Sequence, residues 1–188
     1  MSPRPSAREQ MLDAFEHLVT TSGERTATFD AVAAEAGVSK GGLLYHFPSR
    51  EALVDGLVER LETLIDADVT AMTNAPDGAV DYFIRTSSPD AVADDDPFDR
   101  CITAVTNLAA SGRWPRAVEA LSAMQRRWYD VVLDEVGDPV VARLVCLVAD
   151  GLWFTPGPFD QATVDPAAAR APIGDVIGLL QGLSHRGA

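Results

Sequence analysis

Apolar residues recur at intervals of three and four along most of the chain, and no segment alternates apolar with polar positions, so the pattern predicts helices and no strands. The first predicted helix opens with Ser6 and Glu9 at capping-box spacing, presents Met11, Leu12, Phe15, Leu18 and Val19 on one face, and is followed by Gly23. Thr28 caps a second, short helix whose buried side is Phe29, Val32, Ala33 and Ala36; the alanines let a neighbouring helix approach closely. Gly37 supplies the left-handed backbone of a tight turn, and Val38 is expected to insert into the core. Ser39 caps a third helix from Lys40 to about His46, which Pro48 stops. From a Ser49 cap, Leu53, Leu57, Leu61, Leu64, Ile65, Val69 and Met72 keep helical spacing until Asn74-Ala75-Pro76-Asp77-Gly78 breaks it. A helix that long, leaving a small domain for the rest of the chain, is a rigid mechanical link.

Helical spacing continues beyond it. A short helix is predicted over about Val80 to Thr86, and another from Phe98 to about Ser111 after the acidic stretch Asp94-Asp95-Asp96-Pro97. Pro115 sits in the first turn of a helix to Val136, closed by Gly137, and Pro139 opens one running to about Phe154. The last, about Pro172 to Leu183, is weakened by Gly174, Gly178 and Gly182. The expectation is an all-α fold: an N-terminal three-helix helix-turn-helix domain (residues 1–50) joined by a long helix to a C-terminal helical domain (residues 51–188).

With 188 residues, 47% of them apolar, the chain can bury a core without disulfides or metal. Cys101 and Cys146 lack CxxC or His-rich spacing, so neither a zinc site nor a disulfide framework is expected. No apolar run approaches the ~20 residues that span a bilayer, and Met-Ser-Pro-Arg-Pro-Ser lacks the apolar stretch of a secretory signal. A cytoplasmic protein is expected. No Ser/His/Asp or Cys/His arrangement, paired-carboxylate motif, phosphate loop or metal cluster is visible, and His17, His46 and His185 are scattered. Neither an enzyme nor a cofactor is therefore expected.

Net charge is −13, whereas a nucleic-acid binder is ordinarily basic. The acidity is uneven: residues 1–60 carry 6 Lys/Arg against 9 Asp/Glu, net −3, and residues 61–188 carry 9 against 19, net −10. Arg4, Arg8, Lys40 and Arg50 lie near predicted helix starts, and charges beyond ~8 Å are screened at physiological salt. DNA binding is set by the local field, so the overall balance weakens non-specific binding more than it forbids specific binding.

The run Val-Ser-Lys-Gly-Gly-Leu-Leu-Tyr-His-Phe-Pro-Ser-Arg-Glu-Ala-Leu, residues 38 to 53, together with the preceding Ala-Gly-Val turn, resembles the TetR family of transcriptional regulators over about residues 9 to 60. The resemblance implies a homodimer that lays the third helix in the major groove of a palindromic operator. It also implies that Thr28 and Arg50 hold phosphates, and that Ser39, Lys40, Gly41, Gly42, Tyr45 and His46 lie at the DNA-facing surface. Many members have Tyr-x-His-Phe, whereas here Leu44 takes that Tyr position and Tyr45 follows. Either residue could face DNA; Tyr45 is favoured because Leu44 gains by burial. The remaining chain is similar to the family's ligand-binding and dimerisation domain only in helical pattern and length.

Aromatic residues cluster late, at Phe83, Phe98, Trp114, Trp128, Tyr129, Trp153 and Phe154, where they form a helical core or line a cavity. For an apolar or aromatic effector the candidate lining is Phe83, Phe98, Cys101, Asn107, Met124, Trp128, Asp150 and Trp153, with Gln125 as a further polar candidate. A buried Asp150 needs a partner, such as Arg126, Arg127 or a cationic ligand. Val140, Val141, Leu144, Val145, Leu147 and Val148 make too wide an apolar surface for a solvent-facing helix, which suits a dimer interface or burial within one subunit. The expected function is a ligand-responsive regulator, a repressor released by its effector; the alternative is a helical binding module without DNA binding.

Overall fold

Helix ends fall where the capping chemistry sits. The computed structural model describes residues 6–88, 96–154 and 173–184. Among these are nine helices and no strand: α1 (Ala7–Ser22), α2 (Phe29–Glu35), α3 (Lys40–His46), α4 (Arg50–Thr73), α5 (Ala79–Thr86), α6 (Pro97–Ala110), α7 (Pro115–Val136), α8 (Pro139–Phe154) and α9 (Ile173–Ser184). Ser6, Thr28, Ser39 and Asp96 each accept a backbone amide from the first turn of the helix they precede. Gly23, Gly37 and Gly137 have φ of 86°, 66° and 68°, the left-handed conformation that ends a helix cheaply only in glycine. Arg4, His185 and the acidic pair Asp94-Asp95 lie outside the described residues, as does the side chain of Phe154.

The capping box is only half formed. Ser6 Oγ accepts from the Glu9 amide at 3.2 Å, but the Glu9 carboxylate is taken by Arg60 Nη2 at 2.7 Å. A guanidinium makes a stronger, charge-assisted bond than a backbone amide. Val38 is half-buried rather than inserted in the core. Its residue is too close to the surface turn for full burial.

The chain divides into two compact units: Met1–Ile65 with Asp95–Met124, and Asp66–Asp94 with Gln125–Ala188. Helices α4 and α7 each contribute residues to both. In the first unit, α1 packs against α2 and α6, and α2 against α3. Met11, Leu12, Phe15, Val19, Val32, Leu43, Phe47, Leu53, Leu57 and Leu61 are buried there, each aliphatic or aromatic side chain stabilising by about 1.5–3 kcal/mol relative to exposure. Gly56 is where the long helix passes closest to its neighbours: a Cβ there would lie 2.9 Å from Phe47 and 3.2 Å from Leu12.

Two buried carboxylates also hold this unit. Glu16, only 3% exposed, meets Arg60 Nη1 at 3.2 Å and Arg100 Nε at 3.1 Å, joining α1 to α4 and α6. Glu24 meets Arg50, Arg113 and Trp114.

The second unit is held differently. Met72, Val80, Phe83, Ile84, Val132, Val145, Ala149, Ile177 and Leu180 form one apolar cluster, with α5, α8 and α9 packed on one another. The amide of Ala79 at the start of α5 donates to Glu135, so a carboxylate from α7 fills that positive helix end. Among the described residues no helix is long and apolar enough to cross a membrane.

Candidate functional site

Helix α3 has one anchored side and one open side. Leu43 is fully buried and Phe47, which caps the helix, is 2% exposed; the Arg8 guanidinium lies over the Phe47 ring at 5.4 Å. These contacts fix the roll of the helix. The other side therefore faces out: Lys40, Gly41, Tyr45 and His46 are exposed, Tyr45 at 84% against 39% for Leu44. Tyr45 and His46 meet edge to face, with centroids 5.3 Å apart. A Cβ added at Gly41 would meet nothing within 4 Å, so that patch of backbone is accessible to an incoming surface. Ser39 Oγ is engaged by the Gly42 amide at 3.1 Å, and Thr28 Oγ1 by the Ala31 amide at 3.2 Å; both residues are exposed caps.

The cations around this face each have a carboxylate partner. Lys40 Nζ lies 3.0 Å from Asp30, and Arg8 Nη2 lies 2.9 Å from Glu59. Both pairs are solvated, and such pairs contribute at most about 1 kcal/mol, so a phosphate can replace the carboxylate. Arg50 is different. Its guanidinium turns to Glu24, whose side chain is 7% exposed, and lies 5.9 Å over the Trp114 ring. Sequence reasoning had no means of finding Glu24 or Trp114 as its partners, because neither is near Arg50 in the chain.

The eight residues considered for an effector site are shared between the units. Phe98, Cys101, Asn107 and Met124 belong to the first; Phe83, Trp128, Asp150 and Trp153 to the second. Asn107 is exposed, Cys101 and Met124 are buried, and Phe98 is half-buried. Burial pushes the Cys101 thiol up to about 12 and the Cys146 thiol up to about 11, so both stay protonated and unreactive at neutral pH. In the second unit Phe83 and Trp128 come together, centroids 5.1 Å apart and tilted by 44°. The sequence did not single out Asp68, which accepts from Trp128 Nε1 at 2.7 Å and Tyr82 Oη at 2.9 Å. Asp150 is half-buried, and desolvation raises its pKa against the opposing pull of Arg143. The cation acting on it is thus Arg143, whereas Arg127 pairs with Asp66 at 2.7 Å.

The model of the bacterial regulatory proteins of the tetR family matches residues 12–57, and that of the tetracyclin repressor-like C-terminal domain matches residues 77–180. The chain belongs to the TetR family. It is a TetR-family regulator with a helix-turn-helix DNA-binding domain, formed by α1–α3 and the start of α4. Among curated relatives, the nucleoid occlusion factor SlmA of Shewanella frigidimarina is 38% identical over 64 residues, 34% of this chain and 32% of the relative. SlmA of Shewanella pealeana is 38% identical over 61 residues, 32% of this chain and 31% of that protein. The chain thus matches about a third of the length of these curated relatives. Among solved structures, Salmonella enterica GusR has a TM-score of 0.64 at 20% identity, covering 95% of each chain. A transcriptional regulator of Rhodococcus sp. Rha1 has 0.64 at 20% identity, covering 97% of this chain and 98% of its own. The multidrug binding protein EbrR complexed with malachite green has 0.63 at 23%, covering 94% and 98%. At these identities the likeness is one of fold.

Proposed function

We propose that this regulator binds a palindromic DNA operator as a homodimer, with α3 in the major groove, and represses transcription until a small apolar or aromatic effector releases it. The observation that carries the reading is the outward face of α3. A tyrosine 84% exposed beside Lys40, His46 and the open backbone of Gly41 offers a ring, a hydroxyl, a cation and close backbone approach on one face, the combination that contacts phosphates and base edges. Lys40 and Tyr45 supply base-edge and phosphate contacts; Gly41 and Gly42 let the backbone approach; Ser39, Thr28 and His46 frame the contact. Arg50, engaged by Glu24, has a positioning part in this account.

Homodimerisation is supported by the second unit, where Val140 at 76% and Leu179 at 66% exposure, with Leu144 and Leu147, leave an apolar face on α8 and α9. Added Cβ atoms at Gly174 and Gly178 would meet nothing within 4 Å, so α9 has room for a close helix. A two-fold dimer would set its recognition helices on half-sites about 34 Å apart. For the effector, the tilted Phe83–Trp128 pair is the best supported part of the lining, with Asp150 and Trp153 on α8 as its proposed neighbours.

The experiment is selection of bound duplexes from random-sequence DNA with the purified protein. A palindromic consensus, bound less tightly as salt rises, is expected. Recovery of no enriched sequence would favour the second reading, a helical binding module without DNA binding, which the net charge of −13 supports.

A further inference from the structure

We infer that Glu24 is a positioning residue for operator binding: through Arg50, Arg113 and Trp114 it fixes where α4 begins, and so where the end of α3 is held. The inference rests on the operator-binding reading above. Glu24 follows Gly23, the glycine that ends α1. Its backbone carbonyl accepts from Arg50 Nη2, and its Oε1 lies 3.1 Å from the same nitrogen. Oε1 also accepts from Trp114 Nε1 at 3.3 Å, and both carboxylate oxygens lie 3.4 Å from Arg113 Nη1. One residue thereby ties the α1–α2 turn to the first residue of α4 and to the α6–α7 turn.

The charges explain why a glutamate is needed. The guanidinium groups of Arg50 and Arg113 lie 5.9 Å and 5.7 Å from the centroid of the same indole ring. Two cations sharing one aromatic ring repel each other unless an anion stands between them, and Glu24 is that anion. Glu24 and Trp114 are 8% and 7% exposed and the Arg50 side chain is 24% exposed, so the Glu24–Arg50 pair is screened weakly, whereas Arg113, 55% exposed, is largely solvated. Arg50 Nε is buried with no hydrogen-bond partner. Leaving that donor unmet is costly, so the surrounding contacts must over-determine the orientation of the guanidinium. A partly buried ion cluster is a poor source of net stability, and fixing register is the best-attested use of such a cluster.

The register concerned is that of the recognition helix. Phe47, Pro48 and Ser49 alone separate α3 from Arg50, and Ser49 Oγ holds the Ala52 amide at 3.2 Å. A shift of Arg50 therefore reaches the open face of α3 through three residues. Trp114 also opens α7, its carbonyl accepting from the Ala117 amide at 3.0 Å. A change in the α6–α7 turn is thus felt at the start of α4.

The test compares the wild-type chain with Glu24→Gln, which keeps the size and the oxygen acceptor but removes the charge, and with Trp114→Phe, which keeps the ring and removes the donor. The probe is the tightest duplex recovered by the selection, titrated against a scrambled duplex at several salt concentrations. All titrations are run at a temperature where circular dichroism shows each variant folded. Both substitutions are expected to weaken the selected duplex about tenfold, leave the scrambled duplex unchanged, and leave the salt slope unchanged. A lowered melting temperature with unaltered affinity of the folded protein would overturn the inference in favour of a merely structural cluster. Tighter binding by Glu24→Gln with a salt slope steeper by about one would overturn it differently, by showing that Glu24 sequesters a phosphate-binding Arg50. Failure to recover any duplex with the wild-type chain would remove the operator reading and this inference together.

Discussion

Helices α3 and α8 both leave large side chains uncovered, and the difference between them is what the proposed division into recognition and association rests on. On α3 the uncovered residues are Tyr45, His46, Lys40, Gly41 and, less fully, Leu44, around Leu43 and Phe47 as anchors. On α8 they are Val140, Leu144 and Leu147, with Leu179 on α9. The first set offers hydrogen bonds and close backbone approach; the second offers only area to remove from water. The same contrast runs through the interiors. Around α3, the buried carboxylates Glu16 and Glu24 add directional ion pairs to the apolar core. The unit holding α8 and α9 centres on a mixed aliphatic and aromatic cluster, and its polar ties, Asp68 to Trp128 and Tyr82 and Glu135 to the Ala79 amide, lie at the edge of that cluster's helices. Buried ion pairs are directional and hold the surroundings of α3 in one geometry, whereas apolar packing is fixed by shape and volume.

The contrast can be broken in several places. Glu16→Ala should cost the first unit about 3 kcal/mol, the low end for removing one partner of a buried ion pair, because Arg100 remains solvated. Urea unfolding reads this; a change below about 0.5 kcal/mol would show that the pairs do not hold the unit. If the proposed homodimer forms through α8, Leu147→Asp should convert it to monomer in analytical ultracentrifugation while the helical signal is kept. An unchanged sedimentation coefficient would mean that α8 is not the association face. A smaller effect is expected at Asp150, whose pKa is raised chiefly by burial. A raised carboxyl binds more protons folded than unfolded, so its charge costs stability once the pH passes its folded pKa. Asp150→Asn should therefore raise the melting temperature slightly at pH 7, with the gain shrinking as the pH falls through the raised pKa toward 4. A gain that is constant with pH would contradict the assignment. Smallest of all, Cys101 and Cys146 should resist thiol reagents in the native state and react only on unfolding, as their raised pKa values require.

The helices were legible because their causes are local. Ser39, Gly37 and Pro48 mark α3 within a few residues, and the spacing of Leu53, Leu57 and Leu61 marks α4 in the same way. At Leu44 and Tyr45 the sequence was legible only in part: Tyr45 is the more exposed, but Leu44, expected to gain by burial, is itself 39% exposed, because Leu43 and Phe47 already occupy the core-facing side of α3. The ion clusters were not legible. Glu16 and Arg100 are 84 residues apart, and Glu24 and Trp114 are 90 apart, so no periodicity or cap points from one to the other. Trp114 in particular looked like one more aromatic of a late cluster, yet it belongs to the unit that carries α3. Arg50 was read incompletely for the same reason: its place at a helix start suggested a phosphate, and the fold also brings it the Glu24 carboxylate from the turn between α1 and α2.

The central claim is that the open face of α3 reads a specific DNA sequence. The direct test is an equilibrium titration of the selected duplex with wild type and with Lys40→Ala/Tyr45→Ala, neither residue being part of the core. The account predicts at least a ~100-fold loss of affinity, about 3 kcal/mol from a phosphate or base-edge contact and a packed ring, with the melting temperature and oligomeric state unchanged. Equal affinity of the two proteins for that duplex would contradict it.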